Sequence, residues 1–235
     1  MTILLILVNV AVFVFAQGGG VSSDQEAIEF TYEHAAIPCE ILRGRPLTVP
    51  EIEQDRCPDT PPRAPEAFPD KNVYFSLIES MFMHASLLHI GGNMLFLWIF
   101  GNNIEDKLGP LLYLLFYLAG GVVAALAQMA LDPTSTVPLL GASGAVAAVM
   151  GAYLVWFPRA PILALLFVFP IDVPAWLLLG FWFISQFGIS ENSGIAWMAH
   201  VGGFVFGVIV AFAVRNTPWW RDRNRQPVAY GLSGY

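Results

Sequence analysis

Charge is scarce in this sequence: only 12% of its 235 residues are Asp, Glu, Lys or Arg, against 56% hydrophobic residues and a mean hydropathy of +0.61. That shortage excludes an ordinary soluble domain, whose single core could not bury so much apolar surface, and leaves a bilayer as the natural solvent. Charges are nearly absent from the apolar runs, Asp172 being the exception. A proton pump or ion-coupled transporter carries more of them at mid-span, so transport is disfavoured. Cysteine is nearly absent as well. Cys39 and Cys57 are the only two, and no metal-ligand spacing accompanies them, so neither a metal nor a cofactor is expected, and no nucleic-acid partner.

What is present is a series of six charge-poor runs, at about 2–16, 86–101, 110–131, 137–157, 161–187 and 194–214. A membrane span needs roughly 20 mostly apolar residues. The first run is short and lacks a basic segment before it, which favours a span; Val14-Phe15-Ala16 before Gln17 keeps a cleaved signal open as the alternative. Residues 17–74 hold eleven acidic residues between Asp24 and Asp70 but only five basic ones, Arg43, Arg45, Arg56, Arg63 and Lys71. Arg215, Arg221, Arg223 and Arg225 follow the last run, and Lys107 and Arg159 fall in short loops. The positive-inside rule then puts the C-terminus in the cytoplasm and the acidic loop outside. Oxidation is permitted there, so a Cys39–Cys57 disulfide is expected, with two unpaired thiols as the alternative. Pro58, Pro61, Pro62, Pro65 and Pro69 make part of the loop extended. The chain divides into a first transmembrane helix (1–16), an extracytoplasmic loop (17–85), a core of transmembrane helices 2–6 (86–214) and a cytoplasmic tail (215–235), with Trp219 and Trp220 as interfacial anchors.

The polar side chains left in the apolar runs are few: His89, Asn93, Gln128, Ser143, Ser185, Gln186 and His200, besides Asp172. Ser143 sits in Gly141-Ala142-Ser143-Gly144. Serine among small residues commonly serves helix packing. Here Pro133 and Pro138 interrupt the preceding segment, which predicts that the fourth helix starts near Ser143. Free N–H groups and a positive dipole end suit a nucleophile whose attack creates an oxyanion. Gly141 and Gly144 would admit a substrate backbone. His200 falls at matching depth on the sixth run, ahead of a Gly203-xxx-Gly207 ridge that reads as close packing. Serine with histidine is the minimum for base-activated attack. His89 and Asn93, spaced i, i+4, share one face of the second helix and are candidate oxyanion donors, or ties to a neighbouring helix. His84 is read as organising the loop end.

These motifs resemble the rhomboid family of intramembrane serine proteases. The resemblance covers roughly residues 75–214 and rests on His84-Ala-Ser-Leu-Leu-His89-Ile-Gly-Gly-Asn93, Phe100-Gly101 with Glu105 and Gly109, Gly141-Ala142-Ser143-Gly144, and Ala199-His200 with Gly203 and Gly207. It implies an all-α, six-transmembrane-helix bundle with a large extracytoplasmic loop between helices 1 and 2. It makes Ser143 the nucleophile, His200 the base, and His89, Asn93 and the Ser143 N–H the oxyanion site, with no third acidic member. Glu105 and Gly109 take structural roles. The implied partners are the lipid bilayer and single-span transmembrane substrates cut near the outer end of the span. The expected location is a multi-pass position in a prokaryotic cell membrane. The competing reading is an inactive relative that binds or escorts membrane proteins; such relatives usually lack the serine or the histidine, and this chain has both. One position departs from the family: an aromatic residue often stands four places after the serine, under the histidine, and here Ala147 stands there. Phe204, Phe206 or Tyr153 is the expected substitute.

Overall fold

Two helices, α7 (Pro110–Leu131) and α10 (Trp197–Arg215), are long and apolar enough to cross a membrane, each with a mean hydropathy of 2.0. The computed structural model describes residues 1–19, 25–60, 63–166, 169–190, 194–218 and 220. Asp24, Pro61, Pro62, Trp219 and the tail with Arg221, Arg223 and Arg225 lie outside the described residues. A third candidate span pairs α5 (Ser76–Glu79) and the tight turn Ser80–Phe82 with α6 (Leu87–Leu108), the two being bent by 93°. Shorter apolar helices are α1 (Thr2–Ala11, continued by a wider turn to Ala16), α8 (Ser143–Trp156) and α9 (Ala175–Gln186). The protein is mostly helical, and Leu4, Leu7, Leu88, Leu111, Phe181 and Ile184 point outward from it, as a lipid-facing surface requires.

Local sequence explains the boundaries. Ser86 caps α6 by accepting from the His89 N–H at 3.2 Å. Gly109 ends α6 at φ +81° and Pro110 opens α7, the usual division of labour between the two residue types. Thr2 fixes α1 to the last turn of α6: its N–H and hydroxyl donate to Glu105 Oε2 at 2.7 and 2.8 Å.

One expected span differs. The run 161–187 is not one helix: β1 (Pro161–Leu166) and β2 (Phe169–Pro174) form an antiparallel hairpin, and α9 begins only at Ala175. Pro161, Pro170 and Pro174 lack the N–H a helix needs and push the residues before them to extended geometry. The run 137–157 becomes helical only at Ser143, because Pro138 and a positive φ at Gly141 (+121°) keep the preceding residues out of a helix.

At the centre is α8. Ten of its fourteen residues are buried, so it is surrounded on nearly every side, by α10, α7, α6 and α9. Small side chains permit this. A Cβ at Gly203 would collide with the Gly144 carbonyl, one at Gly207 with the Ala148 carbonyl, and one at Gly151 with the Phe204 carbonyl. The backbones of α8 and α10 are therefore in direct contact over two turns.

Between α1 and α6 lies a polar folded segment with α2 (Gln25–His34), α3 (Pro38–Arg43) and α4 (Val49–Glu53). Cys39 and Cys57 are disulfide-bonded, as expected. Lys71 Nζ, with its side chain 1% exposed, lies 2.5 Å from Glu40 Oε2 and donates to the Tyr32 and Ala35 carbonyls at 2.6 and 2.8 Å. Burial pushes the Glu40 carboxyl up and the Lys71 ammonium down, and their pairing opposes both shifts. Glu51 is buried too, which alone would raise its pKa, but two bonds from Arg45 at 2.6 and 3.0 Å and two from Thr48 at 2.8 and 2.9 Å hold it near about 2.

The α8–α10 contact predicts that Gly207→Val destabilises the protein by about 1–3 kcal/mol or more through overpacking. Gly180→Ala, where a Cβ meets nothing within 4 Å, should leave the thermal midpoint in detergent unchanged or slightly raised. Equal midpoints for the two variants would contradict the packing.

Candidate active site

Ser143 is the first residue of α8. A helix of fourteen residues rises about 21 Å, two thirds of a hydrocarbon core roughly 30 Å thick, so a helix that reaches one surface starts well below the other. The first-turn N–H groups, that of Ser143 included, have no partner within the helix. The loop before it is tied down amide by amide. Leu139 N–H donates to the Ala36 carbonyl at 2.8 Å, Gly141 N–H to the Ser80 carbonyl at 2.9 Å, and Ala142 N–H to His84 Nε2 at 3.4 Å. Cys39 N–H donates back to the Ser135 carbonyl at 3.0 Å. The disulfide-bonded segment is thus hydrogen-bonded to the loop that leads into the serine.

His84 is fully buried. Its backbone N–H and carbonyl are clasped by the Gln17 side-chain amide at 2.8 and 3.3 Å, which joins the end of α1 to the bend before α6. The expected role as organiser of the loop end agrees with this geometry.

His200 stands one turn into α10. Gln128 Oε1 accepts from the Met198 and Ala199 N–H groups at 3.1 and 3.3 Å, capping the start of that helix from α7. One turn below, the Gly203–Gly144 contact holds α10 against α8, which leaves His200 and Ser143 each within a turn of that contact. Gly144 also packs on α7, where its added Cβ would lie 2.5 Å from that of Ala124.

Ser143, His200 and His89 line one cavity of about 860 Å³. Ser86 and Gln128 share its wall, and so do Ile28, Thr31 and Tyr32, one face of α2. The His89 ring lies against Gly141, where a Cβ would come within 2.8 Å of Nε2 and Cε1 and 3.7 Å from Ser143 Oγ. Glycine is required there by the ring and by the positive φ. Ala85 N–H donates to His89 Nδ1 at 3.3 Å, so in the neutral ring the proton sits on Nε2, next to the serine loop. Asn93 is one turn deeper, buried and outside the cavity lining; its amide donates to the His89 carbonyl at 2.9 Å, leaving one N–H for another acceptor. The structure gathers a hydroxyl, an imidazole and N–H donors around one void, the set an acyl transfer uses.

Among the described residues, none of the expected substitutes for the missing aromatic forms a ring pair with His200. Tyr153 packs with Phe100 and Phe157, Phe206 with Phe116, and Phe204 with Trp182 and Phe183. The ring beside His200 is Trp182 of α9, at a centroid distance of 5.9 Å. Gln186, one turn on, meets His200 Nδ1 at 2.7 Å. Gln186 was conspicuous as a rare polar residue in an apolar run, but nothing in its spacing pointed to the histidine.

Residues 71–217 match the family model described as the rhomboid domain. Rhomboid protein 1, mitochondrial, of Saccharomyces cerevisiae is 32% identical over 148 residues, 59% of this chain and 41% of that protein. RHOMBOID-like protein 12, mitochondrial, of Arabidopsis thaliana is 38% identical over 161 residues, 60% of this chain and 46% of that protein. Rhomboid protease GlpG of Yersinia pestis is 31% identical over 147 residues, 63% of this chain and 48% of that protein. The chain thus spans less than half the length of each of these relatives. Two of the three carry mitochondrial names, which runs against the expected prokaryotic membrane; residence in a membrane stands.

The bond from Cys39 to the loop before Ser143 predicts a double effect of Cys39→Ser/Cys57→Ser. The thermal midpoint should fall by the equivalent of about 2–4 kcal/mol, and amide exchange across 135–142 should accelerate, read by mass spectrometry. Unchanged exchange there would show that the loop is held without the disulfide.

Proposed function

Because the chain belongs to the rhomboid family, we propose that it is an intramembrane serine endopeptidase that cuts single-span membrane proteins. The observation that carries this reading is the convergence of Ser143, His200 and His89 on one cavity. In the proposed step, Ser143 Oγ attacks the scissile carbonyl while His200 Nε2 takes its proton. Negative charge forms on the carbonyl oxygen and is met by His89 Nε2–H and the Ser143 N–H, with Asn93, one turn deeper, reaching it by its second amide N–H once substrate enters past the present cavity wall. His200 then returns the proton to the leaving amine, and water repeats the sequence on the acyl-enzyme. Gly141 and Gly144 keep side-chain bulk away from the approaching substrate backbone.

A peptide bond in a regular membrane helix has its carbonyl turned inward and hydrogen-bonded, so substrates whose helices unwind easily are favoured. The site lies at the end of the bundle where α8 and α10 begin. Arg215 in the last turn of α10 and Lys107 in the last turn of α6 favour a cytoplasmic position for the opposite end by the positive-inside rule, and the cut then falls near the outer end of the substrate span. A six-span arrangement completes the reading, with α1, α8 and α9 as short spans beside α6, α7 and α10.

In proteoliposomes with a labelled single-span substrate, Ser143→Ala and His200→Ala should each abolish cleavage, and a fluorophosphonate should label the wild type but not Ser143→Ala. Full cleavage by either variant would overturn the dyad. His89→Ala and Asn93→Ala should lower turnover by about 10–10³-fold with little change in thermal midpoint; wild-type turnover in both would return them to packing roles.

A further inference from the structure

Gln186 is 4% exposed and lies in an apolar helix, where an unsatisfied amide is costly, so every one of its polar atoms calls for a partner. Its Nε2 donates to the Trp182 carbonyl at 2.9 Å and to Ser185 Oγ at 3.2 Å, while the Ser185 hydroxyl itself donates to that carbonyl at 2.6 Å. Both amide hydrogens are therefore spent on α9, and Oε1 is left facing His200 Nδ1 at 2.7 Å. The reverse orientation of the amide would set two carbonyl oxygens against each other at the Trp182 position. An oxygen acceptor at 2.7 Å requires a proton on Nδ1.

We propose that Gln186 is the positioning residue of the active site: by accepting from His200 Nδ1–H it fixes the neutral tautomer whose Nε2 lone pair faces the cavity, with Trp182 restraining the ring from the same helix face. This rests on the protease reading. The pair at i, i+4 on α9 takes the place of an aromatic on α8, where Ala147 has no bulk to offer. Gln186 stays neutral, so the imidazolium formed during attack keeps its hydrogen bond without a buried carboxylate nearby.

The test uses full-length protein in detergent micelles. With ¹⁵N-labelled histidine, wild-type His200 should show the Nδ1–H tautomer, and Gln186→Leu should lose it. Gln186→Leu should lower kcat by about 10–10²-fold with KM within twofold. Gln186→Glu keeps an acceptor for His200 Nδ1–H and adds a charge but sets its second oxygen against the Trp182 carbonyl, so it should recover kcat only in part and move the acid limb of kcat/KM upward by about one pH unit. His89, Asp132 and Tyr32, the other titratable groups on the cavity wall, are unchanged in all three proteins. A wild-type Nε2–H tautomer, wild-type kcat in Gln186→Leu, or a Gln186→Glu profile that matches Gln186→Leu with an unmoved limb would each overturn the assignment. Absence of cleavage and of fluorophosphonate labelling in every form, with the Nδ1–H signal intact, would instead overturn the protease reading and leave the hydrogen bond standing.

Discussion

The direct contact between the backbones of α8 and α10 is the constraint on which the rest of this structure depends. Gly203 against the Gly144 carbonyl and Gly207 against the Ala148 carbonyl leave no room for side chains. In a bilayer, helices gain little from burying apolar surface against one another, so association relies on close van der Waals packing of this kind. Ser143 and His200 stand at the beginnings of the two helices, within a turn of the first contact. Bringing the backbones together there sets the two side chains on one cavity without any bond between them being needed to hold the helices.

Polar groups do the complementary work at the ends of the helices. Gln128 caps α10, Gln17 clasps the backbone of His84, His84 takes the Ala142 N–H, and Glu105 receives Thr2. Each satisfies a backbone group that neither lipid nor helix geometry would satisfy. Gln17, His84, Glu105 and Gln128 are thus committed to such ties. The folded segment before α6 extends the same principle outward, since its disulfide and its buried Glu40–Lys71 pair tie down Ala36 and Cys39, the residues that bond to Leu139 and Ser135.

Much of this was legible in the residues themselves. α7 coincides with the apolar run 110–131, and the helix start at Ser143 followed from Pro133 and Pro138, whereas a Cys39–Cys57 bond was permitted by their number and position with unpaired thiols left open. The hairpin at 161–174 was not, because an apolar run without charges reads alike as strand or helix, and only pairing partners decide between them. The neighbours of His200 were not legible either. Trp182 and Gln186 are separated from it by a loop and a change of helix, and sequence spacing carries no information across that gap.

By itself, then, the sequence determined that the chain belongs in a membrane, which few polar residues its spans could hold, and which family motifs they compose, because composition and local spacing act through solvent and through one helix at a time. The tertiary structure alone decided that His89 faces the serine loop through Gly141 while Asn93 bonds to the His89 carbonyl, and that a glutamine on α9 stands where an aromatic on α8 was absent. Those outcomes depend on how closely helices approach and on which hydrogen-bond acceptors remain unspent after each helix has used its own, and both are properties of the packed bundle.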